Sequence, residues 1–361
     1  ESLRETVETA TIFLDNVVEA NAYVPSVPQL EQSAKRARRI GLGIMGLADL
    51  LYHVKIRYGS EEGQEFASQV MEFIRYHAMK TSIKLAEDRG PFPAIQGSIY
   101  DPKNLHWSPP QPLFPYKNKK NQPEMDWDSV VEGIKNYGIR NAAQTTIAPT
   151  GTIATVAGCE GYGCEPVFAL AYVRHVNDNG TDLLLNYISP QFQNALDEGN
   201  FDPETKQAII DQIIETGSCQ QIEILSQAIK DVFVVSADIT AEEHVRMQAV
   251  LQAFVDNSLS KTINFPSTAT PKDVAKAYML AWELGCKGIT VYVTGSREHV
   301  VLETKDTAGA KQETSQQLPI WHESKKPRPR FLKGYTYSIQ TPLGKTFVTV
   351  NENGGSQPFE V

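Results

Sequence analysis

The run Pro149-Thr150-Gly151-Thr152-Ile153-Ala154 places a proline, two hydroxyls and a glycine where a strand would give way to a helix. Proline stops the strand, threonine can cap a helix, and glycine can take positive φ. The first N–H groups of a helix lack intrahelical acceptors and sit at the positive end of its dipole, so such a turn can hold a phosphate. The same spacing also suits a plain cap in which Thr150 or Thr152 serves only the backbone, and it is not a Walker loop. On spacing alone both readings stand.

Cys159, Cys164, Cys219 and Cys286 are the other chemically interesting groups. Their spacing is irregular and contains no Cys-x-x-Cys pair, so no secreted disulfide framework is expected. Cys159 and Cys164 could approach each other or a metal. No second ligand pair accompanies them, so the expectation is packed or incidental thiols and no metal site.

The loop needs a strand before it and a helix after it. Thr145, Thr146 and Ile147 are β-branched and follow the helix-ending Tyr137-Gly138, which predicts a short buried strand at 143–148. A short helix at 126–136, carrying Val130, Val131 and Ile134, delivers the chain to it. Upstream, Leu3, Val7, Ala10, Leu14 and Val17 recur at helical spacing and predict an amphipathic helix over 2–20. A connector follows at 21–32, then the basic run Lys35, Arg36, Arg38, Arg39, read as solvated. Residues 61–89 read as a helix stopped by Gly90-Pro91, with Phe66, Val70, Phe73, Ile74 and Leu85 on its apolar face. The stretch 92–124 has no period and reads as a surface connector.

Downstream, strands are expected at 166–173, 258–266 and 288–293, the last buried and ending at Thr294-Gly295-Ser296-Arg297. Helices are expected at 203–215, 220–230, 241–256 and 271–284, the last with proline in its first turn. Helix-then-strand repeats mean a parallel α/β arrangement, whose functional groups collect at the C-terminal ends of strands. Polar residues over 303–330 read as a linker, and 334–341 with 345–350 alternate around Pro342-Leu343-Gly344 as a hairpin.

Three ordered blocks carry a resemblance: the loop just described, Arg38-Arg39-Ile40-Gly41-Leu42-Gly43-Ile44-Met45-Gly46-Leu47-Ala48-Asp49, and Gly285-Cys286-Lys287-Gly288-Ile289-Thr290-Val291-Tyr292. Together they resemble the large, catalytic chain of ribonucleotide reductases, especially the adenosylcobalamin-dependent (class II) branch. The resemblance implies an α/β fold, the second half of a ten-stranded α/β barrel, followed by the start of a small β-rich module. Expected bounds are 1–300 for the half-barrel, 301–330 for the linker and 331–361 for the module. The Gly-rich block is expected to be a barrel helix and its lead-in, with Arg38 and Arg39 not ligands. Pro149, Thr150, Gly151, Thr152, Ile153 and Ala154 are implied to bind substrate phosphates through backbone N–H groups and threonine hydroxyls.

The family removes the ribonucleotide 2′-hydroxyl by a radical route begun by a cofactor. Its radical cysteine lies in an Asn-x-Cys-x-Glu loop, a pattern this chain does not contain. Cys159-Glu160 and Cys164-Glu165 lack the asparagine and follow the phosphate loop, so neither is expected to be catalytic. Tyr292-Val293 stands where oxygen-dependent (class I) chains carry two relay tyrosines, which implies adenosylcobalamin instead; Tyr292 also suits a core aromatic. The implied partners are the upstream half of the same reductase, a ribonucleotide substrate and a thioredoxin-like or dithiol reductant, with a homodimer compatible. A class I large chain and a non-catalytic nucleotide-binding fragment are the competing readings.

Composition agrees with an ordinary globular enzyme: 361 residues, 41% hydrophobic and 21% charged. The net charge of -9 argues against a surface that wraps nucleic acid. No apolar run approaches the roughly 20 residues that span a bilayer, so a cytoplasmic setting is expected. Glu1 and the ending Gln357-Pro358-Phe359-Glu360-Val361 do not read as natural termini, and a fragment or one half of a split protein is expected.

Overall fold

Arg38 sets how the N-terminal helices meet. In a computed structural model, which describes residues 2–118, 123–178, 181–296, 302–303, 333–341, 344–352 and 358–360, helix α1 spans Ser2–Ala20 as its spacing predicts. It is rotated from the expected face. Val7, Thr11 and Asp15 are buried, while Leu3, Phe13 and Val17 are exposed. Arg38 explains the rotation, for it is buried rather than solvated. Its Nε donates to Asp15 Oδ1 at 3.0 Å, and Asn141 Nδ2 donates to the same oxygen at 3.0 Å. A buried guanidinium must be matched, so Asp15 and not an apolar residue faces inward. Helix α2 (Pro28–Ala37) begins inside the expected connector, with proline in its first turn.

The Gly-rich block is extended through Gly46, with an isolated bridge at Leu42, and turns helical at Leu47, a lead-in and helix start as expected. Ile40 N donates to the Ala143 carbonyl at 3.0 Å and Thr146 N to the Leu42 carbonyl at 2.9 Å, a parallel pairing of Leu42 with Thr145. A Cβ at Gly43 would stand 2.5 Å from the Thr146 carbonyl oxygen, so only glycine admits this approach. Helix α3 (Leu47–His53) starts within the block, at Leu47. Helix α4 (Glu61–Arg89) keeps its expected bounds, capped by the Ser60 hydroxyl on Gly63 N and closed at Gly90. The aperiodic stretch after it is not purely surface. Phe92, Ile95 and Tyr100 are buried against Met79 and Ile83 of α4 and Val130 and Ile134 of α5 (Trp127–Tyr137).

Helix α6 (Gly151–Val156) follows the loop. The strand expected from 166 starts only at β1 (Ala171–Asp178), which forms an antiparallel pair with β2 (Thr181–Ile188). The reading missed β2 and α7 (Pro190–Glu198), whose cap is the Ser189 hydroxyl on Phe192 N. Helix α8 covers Pro203–Thr216, α9 is only Gln227–Val232, and α10 is Ala241–Gln252. Strand β3 (Thr262–Phe265) runs parallel to β4 (Thr290–Val293), with α11 (Pro271–Glu283) between them in sequence. Strand β4 is not buried as expected: Thr290 is exposed and Val291 to Val293 are half-buried. Strand β5 (Leu302–Glu303) pairs with β1.

Parallel bridges therefore link the segment around Leu42 to that around Thr145, and Ile147 to Leu259, while β3 pairs with β4. Side chains alternate across these strands as period two demands. Ile147, Leu259, Ile263 and Phe265 pack in the helix-covered core; Thr146, Ser258, Ser260 and Thr262 line cavities on the other face.

The chain divides into two units, residues 1–313 and 314–361. In the second, β6 (Lys333–Thr341) and β7 (Gly344–Glu352) form the expected antiparallel hairpin and β8 (Pro358–Glu360) adds to β7. Arg297 and the expected linker 301–330, Leu302 and Glu303 excepted, lie outside the described residues.

Candidate functional site

The loop at 149–154 leaves the C-terminal end of the segment 143–148. Its positive-φ residue is Thr150 (φ 53°), not Gly151 as the sequence suggested. That backbone region costs a β-branched residue on the order of 1–3 kcal/mol, so something must hold it. Gly163 N does, donating to Thr150 Oγ1 at 2.7 Å. Gly163 is itself left-handed (φ 54°), and a Cβ there would meet the Ala148 carbonyl oxygen at 2.8 Å. The Thr150 hydroxyl thus does not cap α6. The first bond within the helix runs from Ala154 N to the Thr150 carbonyl, 2.8 Å, which leaves the Gly151, Thr152 and Ile153 amides ahead of any helical acceptor. Gly151, Thr152 and Ile153 are exposed, Ala154 is buried, and no heavy atom lies within 4 Å of a Cβ built on Gly151.

The turn at 160–165 anchors this loop. Asp49 accepts from Glu160 N at 2.8 Å and Gly161 N at 2.7 Å, and Tyr58 donates to the Cys164 carbonyl at 2.6 Å. Glu165 then reaches across to strand β3. Its Oε1 accepts from Thr262 N and its Oε2 from Lys261 Nζ, both at 2.6 Å. Lys261 occupies an apolar phase of the strand and is fully buried there. Its charge is matched by Glu165, and it donates further to the Thr262 carbonyl and to His244 Nδ1 at 2.8 Å. Burial, then the Lys261 charge, hold the imidazole down to about 2. His244 is therefore neutral, with Nδ1 as acceptor and the ring proton on Nε2, toward the Ser236 carbonyl.

Two cavities lie against the parallel segments, the first of them also touched by Ile147, Leu259 and Lys261. One, of about 470 Å³, is lined by Thr146, Ala148, Pro149, Ser258, Ser260 and Thr290. The other, of about 290 Å³, is lined by Pro149 and Gly151 of the loop, Glu160, Glu165, the aromatic residues Phe168, Tyr172 and Tyr187, and Thr262 and Asn264. Asn264 pairs in register with Tyr292, which is half-buried. All four thiols are free and sit above their ordinary range. Burial pushes Cys164 and Cys219 up to about 12 and Cys286 to about 11; it also raises Cys159, where Asp49 adds to it. Protonated thiols of this kind are poor nucleophiles.

Of the loop residues, Pro149 and Gly151 line a cavity; Thr150 holds the turn, Thr152 and Ile153 are exposed, and Ala154 is buried. Sequence reasoning missed Glu165, Lys261 and His244. One signal was visible: a lysine in the apolar phase of the alternating Ser258-Leu259-Ser260-Lys261-Thr262-Ile263-Asn264-Phe265.

Residues 1–292 match the family model described as the ribonucleotide reductase barrel domain. A vitamin B12-dependent ribonucleoside-diphosphate reductase of Thermoplasma acidophilum is 40% identical over 95% of this chain and 39% of its own length. The enzyme of the same name from Mycobacterium tuberculosis (strain CDC 1551 / Oshkosh) is 36% identical over 84% of this chain and 37% of its own. The ribonucleoside-diphosphate reductase subunit alpha of Chlamydia pneumoniae is 29% identical over 84% and 28%. The chain thus spans less than two-fifths of the length of the curated relatives it matches. Among the described residues, no helix is long and apolar enough to cross a membrane.

Proposed function

Because this chain belongs to the ribonucleotide reductase family through its barrel domain, we propose that it is the substrate-phosphate half of a vitamin B12-dependent catalytic barrel. In this reading the parallel segments are the second half of a ten-stranded barrel, and 331–361 begins a separate module. The substrate is a ribonucleoside diphosphate, the class in the relatives' names. The upstream half of the reductase supplies the radical cysteine, and a dithiol such as a thioredoxin returns the electrons.

One observation carries the phosphate assignment. Thr150 is held left-handed by Gly163, which fixes the start of a helix whose first amides, those of Gly151, Thr152 and Ile153, precede any helical acceptor, and Gly151 lines an open cavity. Preset donors at a helix start favour an anion without reorganisation. The family's cofactor here is adenosylcobalamin, which when bound supplies the initiating radical. The smaller cavity, about 290 Å³, suits one planar ring of that group but not the corrin. Tyr292 is followed by Val293, so a paired-tyrosine relay has no second member here. What this chain's residues do is bind and orient: the loop takes the phosphates, and Glu165 with Lys261 keeps the turn behind it in place.

The test is ribonucleotide reduction by this chain combined with the family's upstream half and a dithiol, with and without adenosylcobalamin. Activity that needs both additions is expected. Absence of turnover with every radical source, in an assembly verified as folded, would overturn the reading.

A further inference from the structure

The parallel segments begin at a second polar cluster, far along the chain from the loop. Asp256 and Asn257 stand just before Ser258 and tie the starts of neighbouring segments together. Asp256 Oδ2 accepts from Gln144 N at 2.6 Å and Thr145 N at 3.0 Å, and it pairs with the buried Arg75 of α4. Asn257 Nδ2 donates to the Thr145 carbonyl at 2.9 Å and to the Ile40 carbonyl at 3.3 Å. The Asp256 carboxylate is thus spent on the start of segment 143–148 and on α4.

Two further cations reach the same dipeptide. Arg39 donates to Asn257 Oδ1, and the Lys287 ammonium donates to the Asp256 carbonyl. Both residues are exposed. Their acceptors are uncharged, and among the described residues no carboxylate pairs with either. Lys84 and Lys117, also exposed, each hold a glutamate. Burial, then the Arg39 and Arg75 charges, press the Lys287 ammonium below its ordinary range. Three cations against one carboxylate leave an excess of two positive charges here, in a chain whose net charge is -9. Like charges fixed on adjacent residues repel, and a bound anion converts that repulsion into attraction. A guanidinium carries five donors and an ammonium three; each here spends one on the dipeptide and keeps the rest.

We propose that Arg39 and Lys287 form a binding site for a phosphate-type oxyanion at the N-terminal ends of the parallel segments, at the other end of segment 143–148 from the loop. Arg39 was expected not to be a ligand; Lys287, remote in sequence, gives it that role. Two sources carry the chemistry: free phosphate and the phosphate of a nucleotide. Filling the site neutralises the cluster and steadies the start of the segment whose far end carries the loop. The site is independent of any phosphate role of the loop itself.

The test is thermal unfolding of the full chain at fixed ionic strength, with inorganic phosphate or uridine monophosphate replacing chloride and the loop silenced by Gly151→Val. The midpoint is expected to rise saturably, by about 2–4 °C at about ten times Kd. Arg39→Gln and Lys287→Gln should each weaken binding by about tenfold, and the double variant should abolish the rise, while Arg36→Gln, at a neighbouring exposed cation, keeps it. Equal potency of the two ligands would assign the site to free phosphate, and an approximately tenfold advantage of the nucleotide to a nucleotide phosphate. A rise no larger than chloride gives, or one that the folded double variant retains, would overturn the proposal. Failure of the loop's phosphate role would show separately, as a response that restoring Gly151 leaves unchanged.

Discussion

The loop at 149–154 and the turn at 160–165 are near neighbours in sequence, joined by one bond from Gly163 N to Thr150 Oγ1, yet they use their backbones in opposite ways. The turn commits its polar groups to the protein: Glu160 N and Gly161 N to Asp49, the Cys164 carbonyl to Tyr58, the Glu165 carboxylate to Lys261 and Thr262 N. The loop holds its amides of Gly151, Thr152 and Ile153 back and is exposed. A ligand site needs uncommitted donors, and uncommitted donors hold a shape only when a neighbour with most of its polar groups committed imposes it. Rigidity and reactivity are thus divided between two short segments.

Substitutions can break that division at four depths. Glu165→Ala leaves the Lys261 charge buried and unmatched, and should destabilise the chain by about 3–5 kcal/mol in urea unfolding, since His244 is neutral and cannot compensate. A cost under about 1 kcal/mol would mean that the turn is not anchored through this pair. Next in size is a pH effect. His244 stays neutral in the folded chain down to about 2 but takes a proton in the unfolded chain near its ordinary value of about 6.5. The stability this represents is present above that value and is lost as pH falls, by about 1.4 kcal/mol per unit. His244→Gln should flatten the slope of stability between pH 6 and 4, at about the same stability optimum in neutral buffer.

Thr150→Val keeps the β-branch and removes the acceptor for Gly163 N; it should cost about 1 kcal/mol and raise substrate KM, whereas Thr150→Ser retains both. Equal KM for valine and serine variants would uncouple the loop from the turn. The smallest stability effect belongs to Gly151→Val. Open space surrounds that position, so thermal unfolding should shift by under about 0.5 kcal/mol while KM rises strongly in the active assembly. A large stability loss there would show that the loop, too, is scaffold.

What could be read from the sequence follows the range of the interactions involved. Helix α4 kept its bounds because Gly90-Pro91 is a local stop signal and its start is capped locally by Ser60, and the hairpin of β6 and β7 was visible in its alternation. The turn and helix start at 149–154 were legible in six adjacent residues, whereas a phosphate role for them came from the resemblance and not from their spacing. Arg38 was misread because its partners, Asp15 and Asn141, come from two other segments, and a basic run says nothing of them. The helix that closes the Gly-rich block was legible, but its glycines were not: those that permit close helix packing look the same as those that let an extended lead-in approach a neighbouring segment, and the Thr146 carbonyl decides between them. Glu165, Lys261 and His244 come from three separate segments and meet only in the fold.

The pairings that shape the mouth also order its assembly. Leu42 meets Thr145 and Ile147 meets Leu259, so each bridge closes a loop of on the order of a hundred residues before it returns any contact energy. Helices α4 and α5 can form from local signals much earlier. During synthesis the Thr150 loop therefore emerges well before Lys261, the residue that fixes its backing turn. For that interval the chain carries an exposed, half-made site, and any early ligand would meet a loop without its final shape.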